Sequence, residues 1–273
     1  MNPGRSIHQA EESPKTARMP ALFVGHGNPM NGIEDNAYSR AWKELGTRLP
    51  RPAAVLCVSA HWLTHGTLVH TARRPRTIHD FWGFPEELYE VEYDCPGEPE
   101  LAEEVRSLIS VSTVAADMDW GLDHGAWVPL LRLFPDADIP VFQLSIDMTK
   151  PSEFHYRLGE ELMPLREKGV LVIGSGNIVH NLGRADFDPE AEPYDWSIEF
   201  DELTRTLIEK GDHEALIDYA ALGPAARLSV PTPDHYWPLL YILALRGQEE
   251  PVDFPVNGIA HGSVSMRAVM LGL

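Results

Sequence analysis

"ALFVGHGNPMNG" (21–32) runs an apolar stretch straight into glycine, histidine, glycine, asparagine and proline. Five apolar or small residues without a polar interruption read as a strand covered on both faces, because a half-buried strand would alternate. The strand stops on His26, held between Gly25 and Gly27, which would let backbone crowd a ligand or supply a positive φ. Three further runs repeat the pattern: "AAVLCVS" (53–59), "IPVFQLS" (139–145) and "GVLVIGS" (169–175). Helical patterns lie between and after them at 35–48, 98–110, 152–168 with Ser152 as N-cap, 195–210, and 232–246, which opens Thr-Pro. Strands alternating with helices predict an α/β fold: a single domain with a mostly parallel central sheet flanked by helices. Residues 60–97 break the alternation with His, Trp, Phe, Pro and Gly and no clean period, which marks a functional connection. Residues 187–196 read as a loop.

The composition sets bounds on partners. With 44% apolar and 23% charged residues the 273-residue chain matches an ordinary globular protein. Its formal charge of −19, from 22 Lys and Arg against 41 Asp and Glu, repels nucleic-acid phosphate and anionic membrane surfaces. Cys57 and Cys95 are too few for a disulfide framework, and Cys57 lies in an apolar run as a buried, inert thiol, so a reducing cytoplasm is expected. No run is long enough for a membrane span, and the first residues lack the apolar stretch of a signal peptide. Residues 1–18 are expected to be a disordered extension, leaving 19–273 as the catalytic domain. The oligomeric state is not readable.

In open α/β sheets ligands bind at the carboxyl ends of the strands, so the predicted active site lies there. Three of the runs deliver a histidine at or beyond that end: His26, His61 and, after a further turn, His180. "LDHGAW" sets His124 after Asp123 at a helix start, and "TPDHYW" sets His235 at a third helical position. One such histidine is usually structural; five aimed at one sheet edge suit a metal centre with open positions. "GSGN" (174–177) lacks both the dinucleotide fingerprint and the Walker lysine, and it is not a G-x-S-x-G elbow. Aromatics gather around the histidines, among them Trp82, Phe84, Trp120, Trp127 and Trp237. Trp62, Phe81 and Tyr236, together with His79, are the candidates for contact with a flat aromatic substrate. No lysine or arginine stands out as a carboxylate clamp; Arg73, Arg74 and Arg76 are expected in solvent.

"GHGNPM", "SAHW", "TIHDFWGFP", "DHGAWVPL", "LSID", "GSGNIVHNL" and "PTPDHYWPLLY" resemble, in order and spacing, the class III extradiol ring-cleaving dioxygenases, most closely their 4,5-DOPA branch. The resemblance spans about residues 19–273. It implies O2-dependent opening of a catechol ring, DOPA-like or a related small catechol, at one divalent metal ion per chain, Fe(II) or Zn(II). By position it implies His26, His61 and His235 as metal ligands. His180 is implied as acid/base or fourth ligand, and His124 as a second catalytic histidine. The wider class uses two histidines and a carboxylate, whereas the third slot here reads His235 with Asp234 beside it, which leaves iron and zinc both open. A zinc-dependent hydrolase using metal-bound water, or a non-enzymatic metal-binding relative, stands as the alternative.

Overall fold

The computed structural model describes residues 18–188 and 191–273. The expected extension lies outside them except for Arg18, which donates to Glu167 at 2.9 Å. The apolar runs form strands β1 (Ala21–Gly25), β2 (Ala54–Ser59), β3 (Val141–Gln143) and β4 (Val170–Gly176). With β5 (Val252–Asp253) and β6 (Val269–Leu271) they make a six-stranded sheet in the order β3–β2–β4–β1–β6–β5. The first four are mutually parallel, and β6 and β5 add an antiparallel edge, so the sheet is mixed. β3 is shorter than its run because Pro140 has no N–H for the ladder.

The uninterrupted apolar runs have a two-sided explanation. Phe23, Leu56, Val58 and Val172 face a core shared with α4 (Ser152–Glu161) and the C-terminal helices, while Leu22, Val24, Val55, Cys57 and Ile173 face a second core. That second core is closed by Trp42 and Leu45 of α1 (Ala37–Arg48) and by Trp127 and Leu130 of α3 (His124–Leu133). Each fully buried Leu, Val or Ile contributes about 1.5–3 kcal/mol, so both faces select apolar residues at every position. Helix α2 (Pro99–Leu108) covers the strand Thr67–His70 and its partner Val114–Asp117.

Several expected bounds shift for local reasons. The pattern over 152–168 divides into α4 and α5 (Met163–Glu167), where Pro164 cannot continue the preceding hydrogen-bond ladder. Pro151 occupies the N-cap of α4, and Ser152 Oγ accepts from Trp237 Nε1 at 3.2 Å instead of capping. The helix α6 (Asp195–Lys210) matches its pattern and ends on Gly211 at φ 70. The last expected helix shortens to α7 (Trp237–Leu243), so His235 lies in the turn before it and not within it. Residues 60–97 hold short strands at Leu63–Thr64 and Thr67–His70 and a helical turn at Glu86–Tyr89, so they are less irregular than the sequence suggests. Cys57 and Cys95 are buried free thiols. Among the described residues no helix is long and apolar enough to cross a membrane.

Candidate metal centre

The parallel strands β1, β2 and β4 end together, and the histidines follow. His26 leaves β1 at once, its N–H donating to the Gly176 carbonyl at 3.0 Å. His61 stands two residues beyond β2, its N–H donating to Ser59 Oγ at 3.2 Å. Asp123 caps α3, accepting from the Ala126 N–H at 3.2 Å, and so sets His124 at the first helical position. The turn carrying His235 docks on the end of β4, where the His235 carbonyl accepts from the Asn177 N–H at 2.9 Å. All five histidines meet. Ring centroids lie 5.0 Å apart for His26 and His61, 5.3 Å for His26 and His235, 3.9 Å for His61 and His124, and 3.5 Å for His180 and His235.

Hydrogen bonding fixes which ring nitrogens are free. Ser175 Oγ donates its one hydrogen to the Gly125 carbonyl, so it must accept from His26 Nδ1 at 3.0 Å, leaving a lone pair on His26 Nε2. The Asp234 carboxylate accepts from His235 Nδ1, which leaves His235 Nε2 buried and without a hydrogen-bond partner among the described residues. Asp80 Oδ2 stands 3.4 Å from His61 Nδ1, and His61 Nε2 faces His26 Nε2 at 3.1 Å. Two nitrogen lone pairs at that distance repel unless a cation or a proton lies between them. Positive charge on the rings is disfavoured, since burial first, then the neighbouring imidazoles, hold His26 and His235 well below the usual histidine range; neutral His61 carries its proton either on Nε2, donating to His26, or on Nδ1 toward Asp80, which frees Nε2 for a cation. Burial, then His124, brings His61 down to about 3 against the pull of Asp80. The donor atoms of His26, His61 and His235 all fall within 4.8 Å of one another. Three neutral imidazoles, two of them with fixed outer hydrogen bonds, are the donor set of a divalent transition metal.

Asp80 is the polar hub that the sequence reading did not single out. It accepts from His124 Nδ1 at 2.9 Å and from the His124 N–H at 2.8 Å, leaving His124 Nε2 as that ring's free nitrogen. Burial would raise this carboxyl, but the hydrogen bonds it accepts from the His124 side chain and backbone help to hold it at about 2. His180 stacks flat on His235 and stands beside the three-nitrogen group, not within it. Burial lowers it to about 4.

A cavity of about 370 Å³ opens over the histidines. Phe81 lines it, but the other expected substrate contacts do not. Trp62 is buried and stacks on Trp120 at 5.9 Å. His79 lies behind Phe81, with Nε2 3.0 Å from the Val91 carbonyl. Tyr236 points away into the core, donating to the Leu216 carbonyl at 3.0 Å, because the turn that aims His235 at the cavity sends its neighbour to the opposite side. Wall residues not foreseen are Asn28, Leu182, Phe187 and His261. Of these, Leu182 closes the "GSGNIVHNL" motif and Phe187 follows it five residues on, both apolar in polar sequence, the one signal that could have found them.

Residues 20–267 match the family described as the catalytic LigB subunit of aromatic ring-opening dioxygenase. The chain belongs to this extradiol dioxygenase family. It is 46% identical to a "4,5-DOPA dioxygenase extradiol" of Escherichia coli K12, covering 94% of this chain and 96% of that one. It is 37% identical to a protein of the same description from Beta vulgaris, covering 89% and 93%. A crystal structure of an uncharacterized Escherichia coli K12 protein superposes with a TM-score of 0.82 at 42% identity, covering 93% of this chain and all of that one. The dioxygenase is therefore a metal-dependent enzyme of extradiol ring cleavage acting on a catechol-like ring with O2. That reaction displaces the hydrolase and non-enzymatic alternatives.

Proposed function

We propose that this dioxygenase opens a single-ring catechol, the class to which the DOPA of its relatives' names belongs, at one Fe(II) held by His26, His61 and His235. The observation that supports this reading is the convergence of donor nitrogens of His26, His61 and His235 within 4.8 Å of one another, His235 Nε2 being buried with no partner among the described residues. The metal, when bound, supplies Lewis acidity toward the catechol oxygens and a redox partner for O2. The chain's own groups do the rest. Ser175 and Asp234 hold His26 and His235 in the tautomer that presents Nε2, and Asp80 stands 3.4 Å from His61 Nδ1. His124, anchored through Nδ1 by Asp80, keeps Nε2 free to take a catechol proton. His180, neutral and lining the same cavity, is the second acceptor and stabilises the ring of His235 by stacking. Phe81 gives the substrate ring an apolar wall. The buried free thiols Cys57 and Cys95 suit a reducing compartment, and the proposal extends to the cytoplasm.

The test loads metal-free protein anaerobically with Fe(II) or Zn(II) and then adds O2 and a panel of catechols. Expected are one Fe(II) per chain, a yellow ring-cleavage product with iron, and none with zinc, which occupies the same nitrogens. His235→Ala should lose the metal, whereas His124→Ala should keep it and lose roughly 10²–10⁴-fold in kcat. Stoichiometric metal in the His235 variant, or equal turnover with zinc, would overturn the assignment.

A further inference from the structure

We infer that, on the ring-opening reading of this cavity, Arg184 and His261 form an outer subsite that binds a carboxylate on the ring substituent and so selects among catechols. Leu182 and Phe187 both line the cavity, and Arg184 stands between them in sequence, at the end of the 3-10 turn Leu182–Arg184. This segment is tied at two points to the hairpin loop that carries His261, between the short strands Ile259–Ala260 and Val264–Ser265. The Asn181 N–H donates to the Ser263 carbonyl at 3.2 Å and the Ser263 hydroxyl to the Asn181 carbonyl at 2.9 Å, while the Asp186 N–H donates to the His261 carbonyl at 3.0 Å. Arg184 lies in the arch between these ties. Phe187 packs on the His261 ring, 5.0 Å between centroids.

Arg184 is exposed and its guanidinium is uncommitted. Every other arginine among the described residues donates from its side chain to a carboxylate or a carbonyl, whereas Arg184 does not, although the chain holds 41 Asp and Glu against 22 Lys and Arg. Asp186, the acidic residue nearest to it in sequence, accepts from the Asp188 N–H at 3.0 Å. His261 adds a second sign of use. It takes φ 54, a left-handed conformation that costs a non-glycine residue energy, yet its ring lines the cavity and makes no hydrogen bond among the described residues. A guanidinium offers a carboxylate two parallel N–H donors, and an imidazole can offer one more. On the histidine side of the cavity Asp80 repels an anion, so a substrate with one carboxylate enters with its catechol toward the histidines and its charged end toward Arg184. Phe81, Leu182 and Val264 supply apolar wall for the ring.

The experiment uses two pairs of catechols that differ only by a carboxylate: L-DOPA with dopamine, and 3-(3,4-dihydroxyphenyl)propionate with 4-ethylcatechol. With Fe(II)-loaded enzyme the acid of each pair should have the higher kcat/KM, by about three- to tenfold and chiefly through KM, the range for a charged pair partly screened by water. Arg184→Gln should bring each ratio to one or below, Arg184→Lys should keep part of it, and His261→Ala should lower it. With zinc-loaded protein, where no turnover intervenes, dissociation constants from tryptophan quenching should show the same preferences. Ratios and dissociation constants in Arg184→Gln equal to those of the unaltered enzyme would overturn the inference. A binding preference for the acids that Arg184→Gln abolishes, without turnover of any catechol by the iron-loaded enzyme, would uphold it and sink the ring-opening reading instead.

Discussion

His26 stands between two glycines that answer a close approach of backbone behind the strand end, and Gly27 also lines the cavity. A Cβ on Gly25 would sit 2.6 Å from the Ser265 carbonyl oxygen and 2.8 Å from the Met266 carbonyl carbon. Gly27 has φ 60, and a Cβ there would sit 2.4 Å from Met266 Sδ. The glycines thus let the 264–267 segment close against the strand end, with Gly27 at the positive φ that the sequence allowed for. Gly27→Val combines a β-branched residue at positive φ with a clash, which should cost about 1–3 kcal/mol and lower Tm by several degrees, with loss of activity following loss of metal. An unchanged melting curve would show that the turn tolerates a side chain. The histidines themselves were legible in sequence because His26, His61 and His180 follow apolar runs and His124 and His235 stand at helix-start patterns. The roles of Ser175, Asp80 and Asp234 were not, since which ring nitrogen a hydroxyl or carboxylate meets is decided only after folding. Trp62, His79 and Tyr236 misled for a related reason: an aromatic beside a motif carries no mark of which way it faces.

At the scale of elements, α3 depends on one buried carboxylate. Asp123 caps the helix through the Ala126 N–H and also accepts from Ser59 Oγ at 2.5 Å, Trp120 Nε1 at 3.2 Å and Gln143 Nε2 at 3.1 Å. It ties the end of β2, the loop before α3 and the strand β3 to the first turn that carries His124. Asp123→Ala should therefore destabilise by roughly 2–4 kcal/mol, a lost cap plus stranded buried donors, and weaken metal binding by displacing His61 and His124 together. Urea denaturation and a metal-binding isotherm check both effects, and a change below about 0.5 kcal/mol would deny the cap this role. Strand positions were legible from "ALFVG" and its three counterparts because a two-sided core leaves no polar alternation. The antiparallel edge at β5 and β6 was not, because strands of two and three residues are too short to show a period. Nor was the turn holding His235, where Thr-Pro mimics a helix start and tertiary docking on β4 delays the helix to Trp237.

Across the whole molecule, buried neutral histidines link stability to acidity. His155 does not line the cavity; it is fully buried, with Nδ1 2.9 Å from the Tyr241 hydroxyl and its ring 4.4 Å from that of Trp237. Burial lowers it from 6.5 to about 4. Between those values the unfolded chain binds a proton that the folded chain refuses, so unfolding free energy falls as pH falls. The stabilising contribution is complete above about pH 6.5 and is lost as pH drops toward 4, amounting to about 3 kcal/mol for this residue. His26, His61, His180 and His235 carry the same sign in metal-free protein. Metal-free enzyme should therefore lose Tm steadily from pH 7 to pH 5. His155→Gln, which cannot titrate, should flatten that slope whatever it does to Tm at pH 7. A metal-free protein whose stability is level across this window would mean that these histidines are protonated in the fold, and would remove the lone pairs on which the metal centre depends.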